Sequence, residues 1–357
     1  MCNDFFMGGK NFREGNSMME SRTNKKRKRK LRWKRIILLT FFALFITGGL
    51  FVYNIYGSVV NAVDKMSTTF DRGKSDKREE EIQFKEKDPI SILLVGVDER
   101  EEDSGRTDSM LILTVNPELK TTKIISIPRD TRTELIDKKD SDNDTISKMN
   151  HAYAYGGIGM TIDSLENFLN IPIDYYVKVN MEGFRDIVDA VGGIDVTNKY
   201  AFELDGTYLS KGDHHLDGEE ALQYARMRKQ DPDGDFGRQE RQREVITKVI
   251  KKGASISGLT NYDEILGALS DNVETSLSMQ EMISMQKSYM KAADSIEKIE
   301  IPGENKKIDG TWYYIVDEET RQEISDDLRT HLGLETTKII SSSANDGIDL
   351  YSSSDET

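Results

Sequence analysis

Residues 231–243, DPDGDFGRQERQR, set three arginines among four acids. Arg238, Arg241 and Gln242 stand at i, i+3 and i+4 and so share a helix face, with Arg238 in the first turn, where backbone N–H groups favour an anion. The forked, permanently charged guanidinium group suits phosphate. Either a phosphate explains these cations at a helix start, or Asp231, Asp233 and Asp235 neutralise them on a solvated surface; charge alone does not choose. Just upstream, Arg226 and Arg228 are two apart and point in different directions on a helix. They converge on one ligand only if the helix has ended there.

Other groups of the same chemistry fall at the ends of apolar runs. Asp98 in GVDER follows ISILLVGV, Asp108 lies in GRTDSM, and Arg129 follows Pro128 at the end of a third run. In α/β sheets, ligands collect in the crevice beyond the carboxyl ends of strands. Two carboxylates on such a rim match the one or two that magnesium takes alongside phosphate oxygens and water. Calcium is excluded at the two acidic loops: 140–151 and 231–242 have Thr145 and Phe236 where an EF-hand needs Gly, and His151 and Gln242 where it needs Glu.

The elements that must position these groups are short. Runs 90–97, 110–115 and 122–128, bounded by Gly, Asp, Asn and Pro, predict buried strands. Apolar residues spaced by three and four predict helices over 160–170 and 181–191, with a strand at 174–180 between them. Further helices are predicted over 218–228, 237–252, 261–270 and 279–293, and late strands at 296–302 and 312–316. Strands mixed with helices in this order predict an α/β fold, an α-β-α sandwich with a mixed central sheet.

Ahead of this body, residues 36–57 form a stretch of 22 residues without a charge. At about 1.5 Å per residue it spans roughly 33 Å, enough to cross the hydrocarbon of a bilayer. KKRKRKLRWKR, residues 25–35, precedes it as a cytoplasmic flank. Residues 1–35 carry 12 Lys and Arg against 3 Asp and Glu, whereas 58–357 carry 37 against 60. Duplex nucleic-acid binding needs a broad basic face, so it is not expected of the acidic outer part. The expected organisation is a basic tail (1–35), one transmembrane helix (36–57), a charge-rich stalk (58–89), a body (90–340, with its motifs in 90–252) and a disordered tail (341–357). A single cysteine, Cys2, excludes an internal disulfide framework, and the four histidines show no zinc spacing.

The stretches LLVGVDER, GRTDSMLILTVNP, IISIPRDT, KMNHAYAYGG, IDYYVKVNMEGFRDIVDAVGGIDV and LDGEEALQYARMRKQDPDGDFGRQERQ, in this order and spacing, resemble the LytR-CpsA-Psr family of Gram-positive cell-wall enzymes. Within it, the resemblance is to the group that moves teichoic acid from a polyisoprenyl carrier to peptidoglycan. It implies a membrane-anchored, single-pass phosphotransferase with its catalytic domain outside the cell. The implied donor is an undecaprenyl diphosphate-linked glycopolymer, and the implied acceptor is the C6 hydroxyl of a muramic acid residue of peptidoglycan. By the same resemblance, Asp98 and Asp108 hold magnesium, for which manganese can substitute, while Arg106, Arg129, Arg226, Arg228, Arg238 and Gln242 bind the diphosphate. Arg100, Lys148, Asn150 and Asp235 occupy positions lining that site. Asp108, Arg129 and Asp235 are the implied catalytic groups, with Asp108 and Asp235 both candidates for the base. The prenyl chain needs an apolar cavity, for which Leu165, Phe168, Phe184 and Val188 are candidates, although core packing is the commoner role for such residues. A lipid diphosphate hydrolase, a lipid-binding sensor and a membrane-anchored regulator are the competing functions.

Overall fold

The apolar runs at the front of the body become the middle of its sheet. In chain order the elements are β1 (Ile90–Val97), β2 (Thr107–Asn116), β3 (Thr121–Ser126), β4 (Arg132–Leu135), β5 (Thr145–Lys148), α1 (His151–Leu169), β6 (Tyr175–Val179), α2 (Met181–Ala190), β7 (Ile194–Asn198), β8 (Phe202–Leu204), β9 (Thr207–Leu209), β10 (Gly212–Leu216), α3 (Gly218–Arg226), α4 (Gly234–Ser255), β11 (Val273–Thr275), α5 (Met279–Ser288), β12 (Ser295–Ile299), β13 (Glu304–Ile308), β14 (Thr311–Ile315) and α6 (Glu318–His331). The computed structural model describes residues 66, 74–97, 107–255 and 270–340. The basic tail, the apolar span 36–57, all but the last residue of the helix expected over 261–270 and the tail 341–357 lie outside them. Among the described residues no helix is long and apolar enough to cross a membrane.

Six strands form one mixed sheet in the order β11-β6-β1-β2-β3-β12. β1, β2 and β3 make an antiparallel meander, while β6 runs parallel to β1 and β12 parallel to β3. Alternation along the strands divides their side chains between two cores. Leu93, Val95, Met110 and Ile112 pack under α1 and α6 with Leu165, Phe168 and Leu328. Ile90, Ile92, Leu111 and Leu113 face the other way, toward Ile246 and Ile250 of α4 and Tyr289. Both faces are therefore covered, as the predicted sandwich requires. A third cluster lies beyond α4, where Val188, Val196, Phe202, Tyr224 and Val245 join α2, α3 and the small β-hairpins.

Two boundaries differ from expectation. α1 starts at His151, nine residues before the predicted helix, and breaks at Gly156 and Gly157; Gly157 has φ +64°, a conformation that glycine adopts without strain. Residues 74–89, inside the expected stalk, lie on the body. Ser75 Oγ donates to the buried Glu166 at 2.6 Å, Lys77 Nζ donates to Asn170 Oδ1 at 2.9 Å, and Arg78 pairs with Asp174 at 2.5 Å. Charge-rich composition suggests a solvated linker, yet here the charges find partners that bury with them.

α6 closes one face with polar groups. Arg321, 2% exposed, donates to the carbonyl of Phe168 and so satisfies the C-terminal end of α1. His331 is buried with its two ring nitrogens on the hydroxyls of Thr114 and Thr121, each at 2.8 Å. Burial, and then Lys123, hold its pKa below the ordinary value. The unfolded chain takes up this proton near pH ~6.5 while the folded chain resists, so stability is lost as pH falls below that point and is unaffected above it. Thermal midpoints measured at about pH 7.5 and about pH 5.5 should therefore fall less in His331→Gln than in the unsubstituted protein.

Candidate active site

The cations and acids singled out in the sequence meet where the meander's rim faces the start of α4. Asp108 and Ser109 begin β2, and Arg129 follows β3 across Pro128. Arg129 Nη1 donates to Asp108 Oδ1 at 3.0 Å. On the opposite wall, Ser109 Oγ donates to Gln242 Oε1 of α4 at 3.0 Å. α3 ends at Arg226, because its C-cap Met227 turns to an extended conformation with ψ 130°. Arg226 closes the helix and Arg228 lies beyond its end, so both reach one locality. Arg226 lines the mouth and donates to Asp205 Oδ2 at 2.8 Å, while Arg228 Nε lies 3.6 Å from Asp235 Oδ1. Arg238 Nη2 pairs with the same carboxylate oxygen at 2.8 Å, and Gln239 Nε2 donates to Asp235 Oδ2 at 3.1 Å.

Behind this mouth lies a cavity of about 380 Å³. Asp108, Ser109, Arg226, Arg238 and Gln242 stand on its lining, and almost all the rest is aliphatic or aromatic, including Leu94, Val177, Phe184, Ile246 and Val249. Of the four residues proposed for an apolar tunnel, Phe184 and Val188 line it. Leu165 and Phe168 instead fill the core on the far face of the sheet. Both pairs recur at helical spacing, and only the sheet decides which side each meets.

The mouth is a network of like numbers of opposite charges. The guanidinium groups of Arg129, Arg226, Arg228 and Arg238 meet the carboxylates of Asp108, Asp130, Asp205 and Asp235, with Arg228 and Arg238 sharing Asp235. Arg238 is 8% exposed, and its Nε has no hydrogen-bond partner among the described residues. Burial lowers its pKa; Arg129 and Arg228 act in the same direction, against Asp235 and Asp108. Since a guanidinium keeps its proton, the consequence is a buried cation whose counter-charge, Asp235, is shared with Arg228 and whose Nε is left unsatisfied.

The remaining expected residues separate. Asn150 is buried beneath Arg129, donating its backbone N–H to the Arg129 carbonyl at 3.1 Å. Lys148 Nζ bonds Asp130 at 2.8 Å, one residue beyond Arg129, and does not line the cavity. Asp98, Arg100 and Arg106 lie outside the described residues. Arg241, grouped with Arg238 by spacing, turns away from the cavity: it pairs with Asp231 and donates to the carbonyls of Tyr224 and Met227. Arg243 bonds Ser126 and Glu300. The charge run thus serves two ends, with Arg238 and Gln242 at the site and Arg241 and Arg243 in the frame. Asp205 and Ser109 are additions that sequence spacing gave no reason to choose.

An arginine-bearing mouth on a largely apolar cavity suits a ligand with one charged and one apolar end. The chain belongs to the LytR_cpsA_psr family, whose model matches residues 53–330. It is 50% identical over 296 residues to the polyisoprenyl-teichoic acid–peptidoglycan teichoic acid transferase TagU of Bacillus anthracis, covering 83% of this chain and 95% of that one. Its fold matches the structure of a LytR-CPS2A-psr family protein, YwtF (TagT), with bound octaprenyl pyrophosphate lipid, at a TM-score of 0.59 and 30% identity over 75% of this chain and 99% of that chain. The structure of TagT bound to LI-WTA matches at a TM-score of 0.63 and 31% identity, with the same coverage.

Proposed function

We propose that this chain transfers an anionic glycopolymer, of the teichoic acid kind, from an undecaprenyl diphosphate carrier to a muramic acid hydroxyl of peptidoglycan. The observation that carries the reading is the buried Arg238, which shares Asp235 with Arg228 and keeps its Nε without a hydrogen-bond partner among the described residues, at the mouth of an apolar cavity. The relative named as a teichoic acid transferase and the related structures holding a polyprenyl pyrophosphate and LI-WTA support the same substrate class. The basic run ahead of an uncharged 22-residue stretch supports a chain anchored once in the membrane, with its body outside the cytoplasm.

Phosphoryl transfer asks a protein mainly for position and charge stabilisation. The cavity takes the prenyl chain, which sets the diphosphate among Arg129, Arg226, Arg228 and Arg238. As the bond to the lipid phosphate breaks, these guanidinium groups offset the charge that develops on the leaving oxygen. Both oxygens of Asp235 are engaged, so this carboxylate orients Arg228 and Arg238. Asp108 is 44% exposed at its side chain, and its Oδ2 has no partner among the described residues, leaving it able to take the acceptor's proton. If magnesium binds, Asp108 and, by the resemblance, Asp98 would hold it, in which case it would supply charge neutralisation beside the phosphates and the proton would have to go to another acceptor than the ligating oxygen.

Lipid-linked donor and peptidoglycan, mixed with the full chain in detergent, should give polymer covalently attached to the glycan. Polymer released to water with none attached would instead support a hydrolase. The cavity has its own check. Val249 is half-buried on its lining, and Val249→Trp should weaken polyprenyl diphosphate binding about tenfold or more by occupying the space, with the thermal midpoint held.

A further inference from the structure

Outside the cavity, the β4–β5 hairpin carries an arrangement that folding by itself disfavours. Arg132 and Lys148 are Cα partners in the antiparallel ladder. Two cations directly opposite each other repel. Both also extend over one ring: Arg132 Cζ lies 5.5 Å and Lys148 Nζ 5.8 Å from the centre of Tyr313. Asp130 neutralises Lys148 at 2.8 Å, whereas Arg132 has no ion pair among the described residues and its Nε is buried without a hydrogen-bond partner. Attraction to the ring offsets part of the repulsion but gives the guanidinium no acceptor.

The cluster is contiguous with the active site. From Asp108 the contacts pass to Arg129 at 3.0 Å, from Arg129 Nε to Asp130 at 3.8 Å, and from Asp130 to Lys148 at 2.8 Å. None of Arg132, Lys148 and Tyr313 lines the lipid cavity. Phe236, the residue after Asp235, is 41% exposed and packs edge-on at 5.7 Å against Tyr314, the neighbour of Tyr313. A basic pair and a half-buried ring, Tyr313, therefore stand together beside the reacting groups.

We infer that Arg132, Lys148 and Tyr313 form the subsite for the acceptor, a glycan bearing carboxylates on its muramyl peptide stems. The inference rests on the transferase reading. In an in-line displacement the attacking hydroxyl approaches opposite the leaving oxygen. The leaving lipid phosphate sits toward the cavity, so the acceptor comes from the flank of Arg129 that meets Asp130. Arg132 supplies forked donors matched to a carboxylate. Tyr313 offers flat apolar area to a sugar face. A second cleft of about 660 Å³, which shares Arg226 with the cavity, is lined by acids as well as bases, Glu203 and Asp231 beside Arg228 and Lys229, and so suits the acceptor's carboxylates less than the Arg132–Lys148 pair does.

The test titrates the full chain in detergent with a soluble peptidoglycan fragment carrying peptide stems, and with a chitin oligomer of equal length as the carboxylate-free comparison. The unsubstituted chain should prefer the peptidoglycan fragment. Arg132→Glu and Tyr313→Ala should each weaken that binding about tenfold and erase the preference, while Arg132→Lys keeps part of it. Polyprenyl diphosphate binding should not move, and in the transfer assay the acceptor KM should rise with kcat retained. Thermal melting reports folding, and Arg132→Gln provides a milder variant if Arg132→Glu melts early. Unchanged fragment binding in Arg132→Glu and Arg132→Gln overturns the inference. So does an equal loss of diphosphate binding, which would assign the cluster to the donor, and so does an unsubstituted chain that binds no fragment. If the fragment binds through these residues but receives no polymer, the transferase reading fails and the subsite stands.

Discussion

Arg238→Ala should lower polymer attachment by about 10²–10³-fold, the loss associated with removing one preorganised donor to a developing negative charge. The thermal midpoint should hold or rise, because the native protein without ligand keeps this guanidinium 8% exposed with its Nε unpartnered. A group whose burial disfavours the unliganded fold and favours the bound state is expected at a functional site. Single-turnover attachment and a melting curve on the same preparation check both halves. Arg238→Lys retains a point charge but not the fork, and should recover only part of the rate. Attachment at the normal rate together with early melting would show that Arg238 belongs to the frame instead.

The second large effect falls on stability. Asp231 is buried at its side chain and accepts from Arg241, which also donates to the carbonyls of Tyr224 and Met227. Asp231→Ala leaves a buried guanidinium without its counter-charge, a change that costs about 3–5 kcal/mol. For a body of this size that is a fall on the order of 10 °C in the thermal midpoint. The damage should also reach the site, because Arg241 fixes the stretch between α3 and α4 that presents Arg226 and Arg228. The same packing is probed from the other side by Gly237→Ala, whose new Cβ would lie 2.0 Å from Asp231 Oδ2. Melting curves with donor-binding titrations separate the two consequences: both variants should lose stability and donor affinity together.

Much of this was legible in the sequence because it rests on local pattern. Apolar runs bounded by turn residues located β1, β2 and β3, and three-and-four spacing located α2 and α3 to within two residues. The arginines of 226–238 stand out by their chemistry, but spacing leaves a solvated charge run equally open and only the resemblance assigns them to a site; in the structure Arg228 and Arg238 share Asp235, and Arg226 and Arg238 line the cavity. Spacing could not divide Arg238 from Arg241, since residues three apart share a face and the outcome depends on the packing of α4 against α3. Nor could it divide Phe184 from Phe168, which lie in clusters on opposite faces of the sheet. α6 gave no signal as a covering helix because its buried face contains Arg321, Arg329 and His331, apolar only once their donors are satisfied. The β4–β5 hairpin was equally silent: four-residue strands carry too little alternation, and Tyr313 reaches them from a segment more than 160 positions away.

The cavity draws its walls from two hydrophobic clusters that the rest of the fold keeps apart. Leu94, Leu111, Val177 and Ile250 belong to the layer on the sheet, whereas Phe184, Val188, Ala225 and Val249 belong to the layer beyond α4. A prenyl chain lying between them would act as mortar as well as cargo. On the proposed function, release of the spent lipid would leave the two layers joined through α4, which contributes Val249 to one and Ile250 to the other.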